Sequence, residues 1–304
     1  MPAWLTFQLP HSLPLEKDVD LTGNTGRFEQ NTHSGSAQRI AFVHHKGGTG
    51  KTTSCINVAG WLAKMNKKVL VVDLDPQGNA VAALGVDRKK IEGSLYDVLF
   101  SNTSIKEVIL ETDAGVWLVP SSLDLLSAER QMVDRANHTN LLQKVLKSIE
   151  KQFDYILIDV GPGSTLLMIN GIVAAGNIII PLDSGVFAYE TLETLKTLVL
   201  DLEEELGIET NVMMILLREY STSIFDRIFD GEPTQVIKDL VSEFLMSNQM
   251  PAVKIHSIPY SKKVYEAQML GMPVSHVAPF SDVGRAYKRI AQDVLNHVSA
   301  QYAR

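Results

Sequence analysis

The chain predicts a doubly wound α/β fold, a mostly parallel sheet with helices on both faces. Three observations point to it. From Arg39 onward, short runs rich in Val, Ile and Leu alternate with longer stretches of helical period. Those runs are apolar throughout rather than apolar and polar by turns, as strands covered on both sides must be. The first run ends in a glycine-rich loop that leads straight into a helical stretch. Crossovers between parallel strands would be right-handed.

In order, Ile40–Val43 reads as the first strand, Thr52–Lys64 as a helix and Lys67–Leu74 as a second, mostly β-branched strand. Further strands are expected at Val116–Val119, Tyr155–Asp159, Asn177–Pro181, Val212–Leu217 and Val253–Ile258. Helical stretches fall at Leu141–Lys151, Tyr189–Leu206, Pro233–Met246 and Val283–Ser299. Residues 1–38 are rich in Ser, Thr, Asn, Gly and Pro and show neither period, so they read as an N-terminal arm, extended or poorly structured. Residues 39–304 read as one catalytic domain without internal repeat or linker.

A chain of 304 residues, 45% hydrophobic and 21% charged, can bury a sizeable core without disulfides or metal, which excludes wholesale disorder and a collagen-like rod. The lone Cys55 excludes a disulfide framework and any cluster held by several thiolates of one chain. It sits in the first turns of the helix after the glycine loop and reads as a small packed residue. Met1 to Pro14 carry no basic n-region and their apolar residues are broken by Pro2, Pro10 and Pro14, so no secretory signal and a reducing cytoplasmic compartment are expected. The uncharged stretch Val160–Leu182 is broken by glycines, asparagines and prolines, so it reads as loop, buried helix and strand rather than a membrane span.

The strongest chemical signal is His45-Lys46-Gly47-Gly48-Thr49-Gly50-Lys51-Thr52-Thr53, between a strand and a helix. Glycines let backbone N–H groups close around a phosphate because no Cβ blocks the approach, and the following helix adds its positive dipole end. Lys51 would neutralise β- and γ-phosphate oxygens, and the Thr52 hydroxyl would ligate Mg²⁺. His44 and His45, successive residues at a strand end, are expected to point to opposite faces and so not to share a metal.

A second signal is Val69-Leu70-Val71-Val72-Asp73-Leu74-Asp75-Pro76-Gln77-Gly78-Asn79. Two aspartates at i, i+2 share a face if strand geometry persists, and parallel sheets bind ligands at the carboxyl ends of their strands. Asp75 could align or deprotonate a water, and Asp73 could act on the Mg²⁺ shell. In the third, Phe153–Gly163, four apolar residues precede Asp159, which reads as a Mg²⁺-holding carboxylate.

The loop K-G-G-T-G-K-T-T has His45 where an ordinary phosphate loop has glycine, and it adds Lys46. In this it resembles the deviant Walker A loop of the ParA/MinD ATPase family of P-loop NTPases. V-D-L-D-P-Q-G-N resembles that family's switch I, which implies Asp75 as the hydrolytic carboxylate. Gly161-Pro162-Gly163 falls at its switch II, usually written D-x-P-P, with Gly161 in the place of the first proline. Residues 94–100, 118–129 and 258–274 resemble the partition-type ParA/Soj branch, and by that likeness Pro259 would lie near the adenine. Leu217-Arg218-Glu219-Tyr220 and Met272 depart from the branch.

The resemblance implies slow, Mg²⁺-dependent ATP hydrolysis, with Asp75, Lys46 and Lys51 catalytic and Lys46 reaching across a homodimer to the partner's nucleotide. It implies an ATP-sandwich dimer that binds DNA non-specifically and is released when a ParB-like adaptor stimulates hydrolysis, segregating plasmid or chromosome copies on the nucleoid. The charge pattern is compatible. Residues 251–304 are net +4 in a chain of net −7, and Lys262, Lys263, Arg285, Lys288 and Arg289 are the candidate DNA contacts, with Arg218 and Arg227 behind them. Positioning a protein cargo or organelle would use the same parts. A MinD-like membrane regulator would need a basic amphipathic terminal helix, which residues 285–304 lack in strong form, so no stable membrane association is expected. A reductase resembling the nitrogenase iron protein would need more thiolates, and a repressor would need an arm long enough for a helix-turn-helix.

Overall fold

The computed structural model describes residues 35–133, 138–183, 188–219, 233–250 and 252–302. In chain order these form β1 (Gln38–Phe42), α1 (Lys51–Lys64), β2 (Val69–Leu74), α2 (Asn79–Ala83), α3 (Leu95–Phe100), α4 (Ile105–Val108), β3 (Leu110–Glu111), β4 (Trp117–Val119), α5 (Ala128–Val133) and α6 (Leu141–Lys147). There follow β5 (Tyr155–Val160), α7 (Thr165–Ala175), β6 (Asn177–Asp183), α8 (Ala188–Leu206), β7 (Asn211–Arg218), α9 (Pro233–Ser247), β8 (Lys254–Ile258), α10 (Lys262–Met269), α11 (Val274–Val277) and α12 (Asp282–Tyr302). The sheet runs β3-β4-β2-β5-β1-β6-β7-β8 and is parallel except for the β3–β4 pair.

Strand burial explains the topology. Every residue of β2 and β5 is buried, because helices cover both faces. Successive side chains alternate between the faces, so Ile40, Phe42, Val69, Val71, Tyr155 and Leu157 join the core under α1 and α12, which supply Val58, Leu62, Tyr287, Ile290 and Val294. Helix α7 packs against β1, β5 and β6, with α6 beside it. The central strands β2, β5 and β1 therefore present their carboxyl ends side by side, with Asp73 opposite Asp159 and Phe42 opposite Asp159 in register. No described helix is long and apolar enough to cross a membrane, and Val160–Leu182 resolves into loop, α7 and β6 as expected. Cys55, Met213 and Met214 are packed into the core.

The differences from expectation have local causes. The strand β1 begins at Gln38, and Ala37 N–H already donates to the Glu150 carbonyl (2.8 Å), so the sheet starts one residue before Arg39. Residues 1–34 of the expected arm lie outside the described residues. The helix expected over Leu141–Lys151 stops at Lys147. Ser148 and Ile149 turn back to Val145 and Leu146, a tighter hydrogen-bond pattern, and Phe153 then enters the core. The short α2, α3, α4, α5 and α11 and the two-residue β3 went unforeseen, since none is long enough to establish a period.

Helix α1 meets α11 at Gly60. A Cβ there would lie 2.5 Å from the Pro273 ring and 2.7 Å from the Ser275 hydroxyl. Gly60→Val should therefore destabilise the protein by about 1–3 kcal/mol through overpacking, read as a lower thermal midpoint. An unchanged midpoint would show that the α1–α11 contact gives way freely.

Candidate active site

The glycine loop joins β1 to α1 at the carboxyl edge of the sheet. Gly48 and Gly50 have φ of +77° and +93°, values that L side chains resist, and Gly50 ends the loop as an N-cap without a side-chain cap. The first amides of α1, from Lys51, Thr52 and Thr53, are thus left to an anion. A cavity of about 540 Å³ opens above them, lined by Gly47, Gly48, Lys51, Thr52, Asp75 and Pro162 among others. A second, of about 780 Å³, adjoins it at Gly50, Thr53 and Arg218 and is lined by Thr49, Pro259, Tyr260 and Tyr287. Together they offer a polar compartment for phosphates and a more apolar one for a base.

Lys51 is buried, and its Nζ donates to the Lys46 carbonyl (2.8 Å), which draws the loop around its ammonium. Burial lowers its pKa, and the nearby Asp159 and Asp75 oppose the shift. Lys46 itself is exposed at the rim. The Thr53 hydroxyl accepts from Gln268 Nε2 (3.2 Å), which ties α10 to the start of α1.

Asp159 is fully buried, and neither of its carboxylate oxygens has a hydrogen-bond partner. Burial pushes its pKa up to about 7, with the adjacent Thr52 hydroxyl pulling the other way, Asp75 adding to the rise and Lys51 opposing it. A buried carboxylate with no partner, next to a hydroxyl, is an oxygen-only donor set suited to a hard divalent cation such as Mg²⁺. The two residues fit that group.

Asp73, opposite Asp159 in register, is held differently. Its carboxylate accepts from the amides of Asp75 (3.1 Å), Ala80 (3.1 Å) and Val81 (3.2 Å), so it serves the turn after β2 and the N-terminus of α2. Burial, then Asp159, raises its pKa. The strand geometry that would put Asp73 and Asp75 on one face does not persist, because β2 ends at Leu74 and the chain turns. Asp75 instead lines the phosphate cavity, its oxygens accepting from Gln77 N–H (2.9 Å) and Asn79 Nδ2 (3.0 Å).

His44 and His45 also depart from expectation. Their rings stack with centroids 5.0 Å apart, because β1 stops at Phe42 and strict alternation stops with it. No cluster of metal-ligating side chains is found among the described residues.

Sequence reasoning missed several residues around this site. Ser121 Oγ donates to the Asp75 carbonyl (2.6 Å), and Arg88 donates to the carbonyls of Gln77 and Gly78. Neither contact is encoded in spacing, and Ser121 lies 46 positions from its partner. Arg218, an outlying DNA candidate, pairs with Asp183 (2.9 Å) between the two cavities. Arg227 lies outside the described residues.

The basic candidates of the C-terminal region are exposed but not alike. Lys262 lines the second cavity, Lys263 pairs with Glu266 (2.7 Å) and Arg285 pairs with Asp282 (2.6 Å). Lys288 stands over the Trp61 ring at 5.5 Å, and Arg289 lines a cleft with His256 and Asp293.

His44 braces the loop, its Nδ1 accepting the Lys46 N–H (2.9 Å), a role open only to the neutral ring. Burial, then the charges of His45, Lys51 and Lys46, lowers its pKa to about 3. Its contribution to stability is therefore whole above its unfolded value of about 6.5 and is lost as pH falls from there toward 3. In denaturant titrations between pH 7 and pH 4, His44→Gln should flatten this loss by up to one proton. An identical pH slope in the variant would refute the assignment.

Comparison with known proteins agrees with this geometry. A family model described as an AAA domain matches residues 37–214. The chain is 32% identical over 259 residues to the chromosome-partitioning ATPase Soj of Treponema pallidum, covering 84% of this chain and 96% of that protein. It superposes on the cobyrinic acid a,c-diamide synthase of Mycobacterium smegmatis with bound ATP analogue and magnesium with a TM-score of 0.73, at 26% identity over 86% of this chain and 95% of that one. For MinD of Pyrococcus horikoshii complexed with Mg-ADP the TM-score is 0.66, at 25% identity over 85% of this chain and 96% of that one. With an uncapped glycine loop, a buried lysine and an unpartnered aspartate in the corresponding order, the chain belongs to the ParA/MinD family of P-loop ATPases, on its Soj-like branch.

Proposed function

We propose that this ATPase drives DNA segregation through an ATP-dependent dimer. The observation that carries the reading is one cavity that joins the uncapped amides of α1, Lys51, Thr52 and Asp75, with Asp159 buried beneath it. The amides from Gly47 to Thr53 cradle the phosphates, and Lys51 leaves the Lys46 carbonyl to neutralise them. Thr52 and Asp159 would hold Mg²⁺, which when bound would supply positive charge to the phosphates. Asp75, held by Gln77 and Asn79, orients the attacking water. Pro259 bounds the compartment for the adenine.

Lys46 is exposed and its own carbonyl engages Lys51, which supports a side chain that serves a nucleotide on a second subunit. The exposed Lys262, Lys263, Arg285, Lys288 and Arg289 would contact DNA phosphates without sequence preference. Near full-length likeness to a chromosome-partitioning ATPase supports partition, and a ParB-like adaptor would then trigger hydrolysis. The MinD-like alternative is disfavoured by α12. Its apolar residues Val283, Tyr287, Ile290 and Val294 are buried against the core and not available to a lipid surface. Organelle positioning would share every feature named here and differ only in the adaptor.

Two outcomes test the cycle. Lys46→Ala should abolish the ATP-dependent dimer in sedimentation while retaining monomer nucleotide binding, and a variant that still dimerises with ATP removes the trans role. Asp75→Ala should trap an ATP-bound dimer with little turnover. That trapped protein should bind non-specific duplex DNA with ATP, not with ADP, and lose affinity steeply with salt. ATP-dependent binding to anionic liposomes in place of DNA would overturn the partition reading.

A further inference from the structure

The segment after β5 is where this chain departs from the usual D-x-P-P pattern, and the structure shows what the departure does. Gly161 is buried, and a Cβ placed on it would lie 2.9 Å from the Cα, the Cγ and the Oδ1 of Asp75. Real Cβ atoms do not approach other heavy atoms so closely, and one of the three is backbone that cannot rotate away. The φ of Gly161 is not in the left-handed region, unlike that of Gly163 at +91°. Glycine is needed at 161 for space and not for conformation. Proline, which carries a Cβ, would meet the same obstruction with Asp75 where it is.

The same segment reaches the phosphate loop. The ring of Pro162 lies 3.9 Å from where a Cβ of Gly47 would be. Residues 161 and 162 thus sit between Asp75 and the glycine loop. Asp75 is held further along its own turn. Arg88 donates to the carbonyls of Gln77 and Gly78, and Ser121 Oγ donates to the carbonyl of Asp75 itself.

We propose that Gly161 is a positioning residue for Asp75. Its missing side chain lets the segment after β5 close directly on the Asp75 backbone and carboxylate, and Arg88 completes the seat from the following turn. Any movement of residues 161–163 is then transmitted to Asp75 by contact. The inference rests on the reading of Asp75 as the hydrolytic carboxylate. Gly161 has no side chain with which to meet nucleotide or water, and its proposed action is through the aspartate.

The variants are Gly161→Ala, Arg88→Ala and Asp75→Ala, each compared with the unaltered full chain. Affinity is read with a fluorescent non-hydrolysable ATP analogue, and turnover as single-turnover hydrolysis of ATP at saturating Mg²⁺. Thermal melts establish which variants are folded. Gly161→Ala should keep analogue affinity within about threefold and lose about ten- to a hundredfold in turnover, the scale on which a misplaced catalytic group costs rate. Arg88→Ala should split affinity from turnover in the same direction, and it carries the test if Gly161→Ala does not fold. Turnover within twofold of the unaltered protein in the folded variants, beside an inactive Asp75→Ala, would overturn the role of Gly161 alone. A parallel loss of affinity and turnover would overturn it too, since that marks damage to the whole site. An active Asp75→Ala would instead remove the reading on which the inference rests.

Discussion

Three carboxylates and an ammonium, Asp73, Asp75, Asp159 and Lys51, are buried together where the central strands end, and most of the site follows from how each is compensated. Burial disfavours each charged form, so each group needs a partner or is held at a cost. Lys51 finds the Lys46 carbonyl, which curls the loop into a ring open to phosphate. Asp73 takes three backbone amides and anchors the start of α2. Asp159 has only the Thr52 hydroxyl beside it. The least compensated group is thereby the one to which the proposed function assigns the cation.

These groups can converge only because the sheet is parallel and covered on both faces. Parallel strands bring the ends of β1, β2 and β5 to one edge, and the loops that leave them meet there. The approach is then set by the smallest residues. Gly60 lets α11 touch α1, and Gly161 lets the segment after β5 touch Asp75. The packing that stabilises the domain and the packing around Asp75 use the same device, an absent Cβ.

Helix α12 gives the C-terminal region its second meaning. Its apolar face is committed to the core through Tyr287, Ile290 and Val294, while Arg285, Lys288 and Arg289 remain outside. Among the described side chains of α12 no apolar face is left over, which under the proposed function favours a polyanion over a bilayer. Several of these cations are already engaged, Arg285 with Asp282 and Lys263 with Glu266, so a phosphate backbone would have to compete for them.

The parts of this protein that depend on local chain chemistry were determined by sequence alone. The glycine loop, its lysines, the strand carrying Asp159 and the alternation of strand and helix were all legible, because backbone freedom and burial on both faces leave their mark in adjacent residues. Tertiary structure alone decided which aspartate faces which partner. Asp73 and Asp75 look equivalent two residues apart, yet the end of β2 sends one to the α2 amides and the other to the cavity. It also decided the stacking of His44 on His45, the placement of Arg218 between the two cavities, and the seat that Gly161, Arg88 and Ser121 build around Asp75. Those contacts join positions far apart in the chain, and they come into being only when the close packing of a whole fold brings them within a few ångströms.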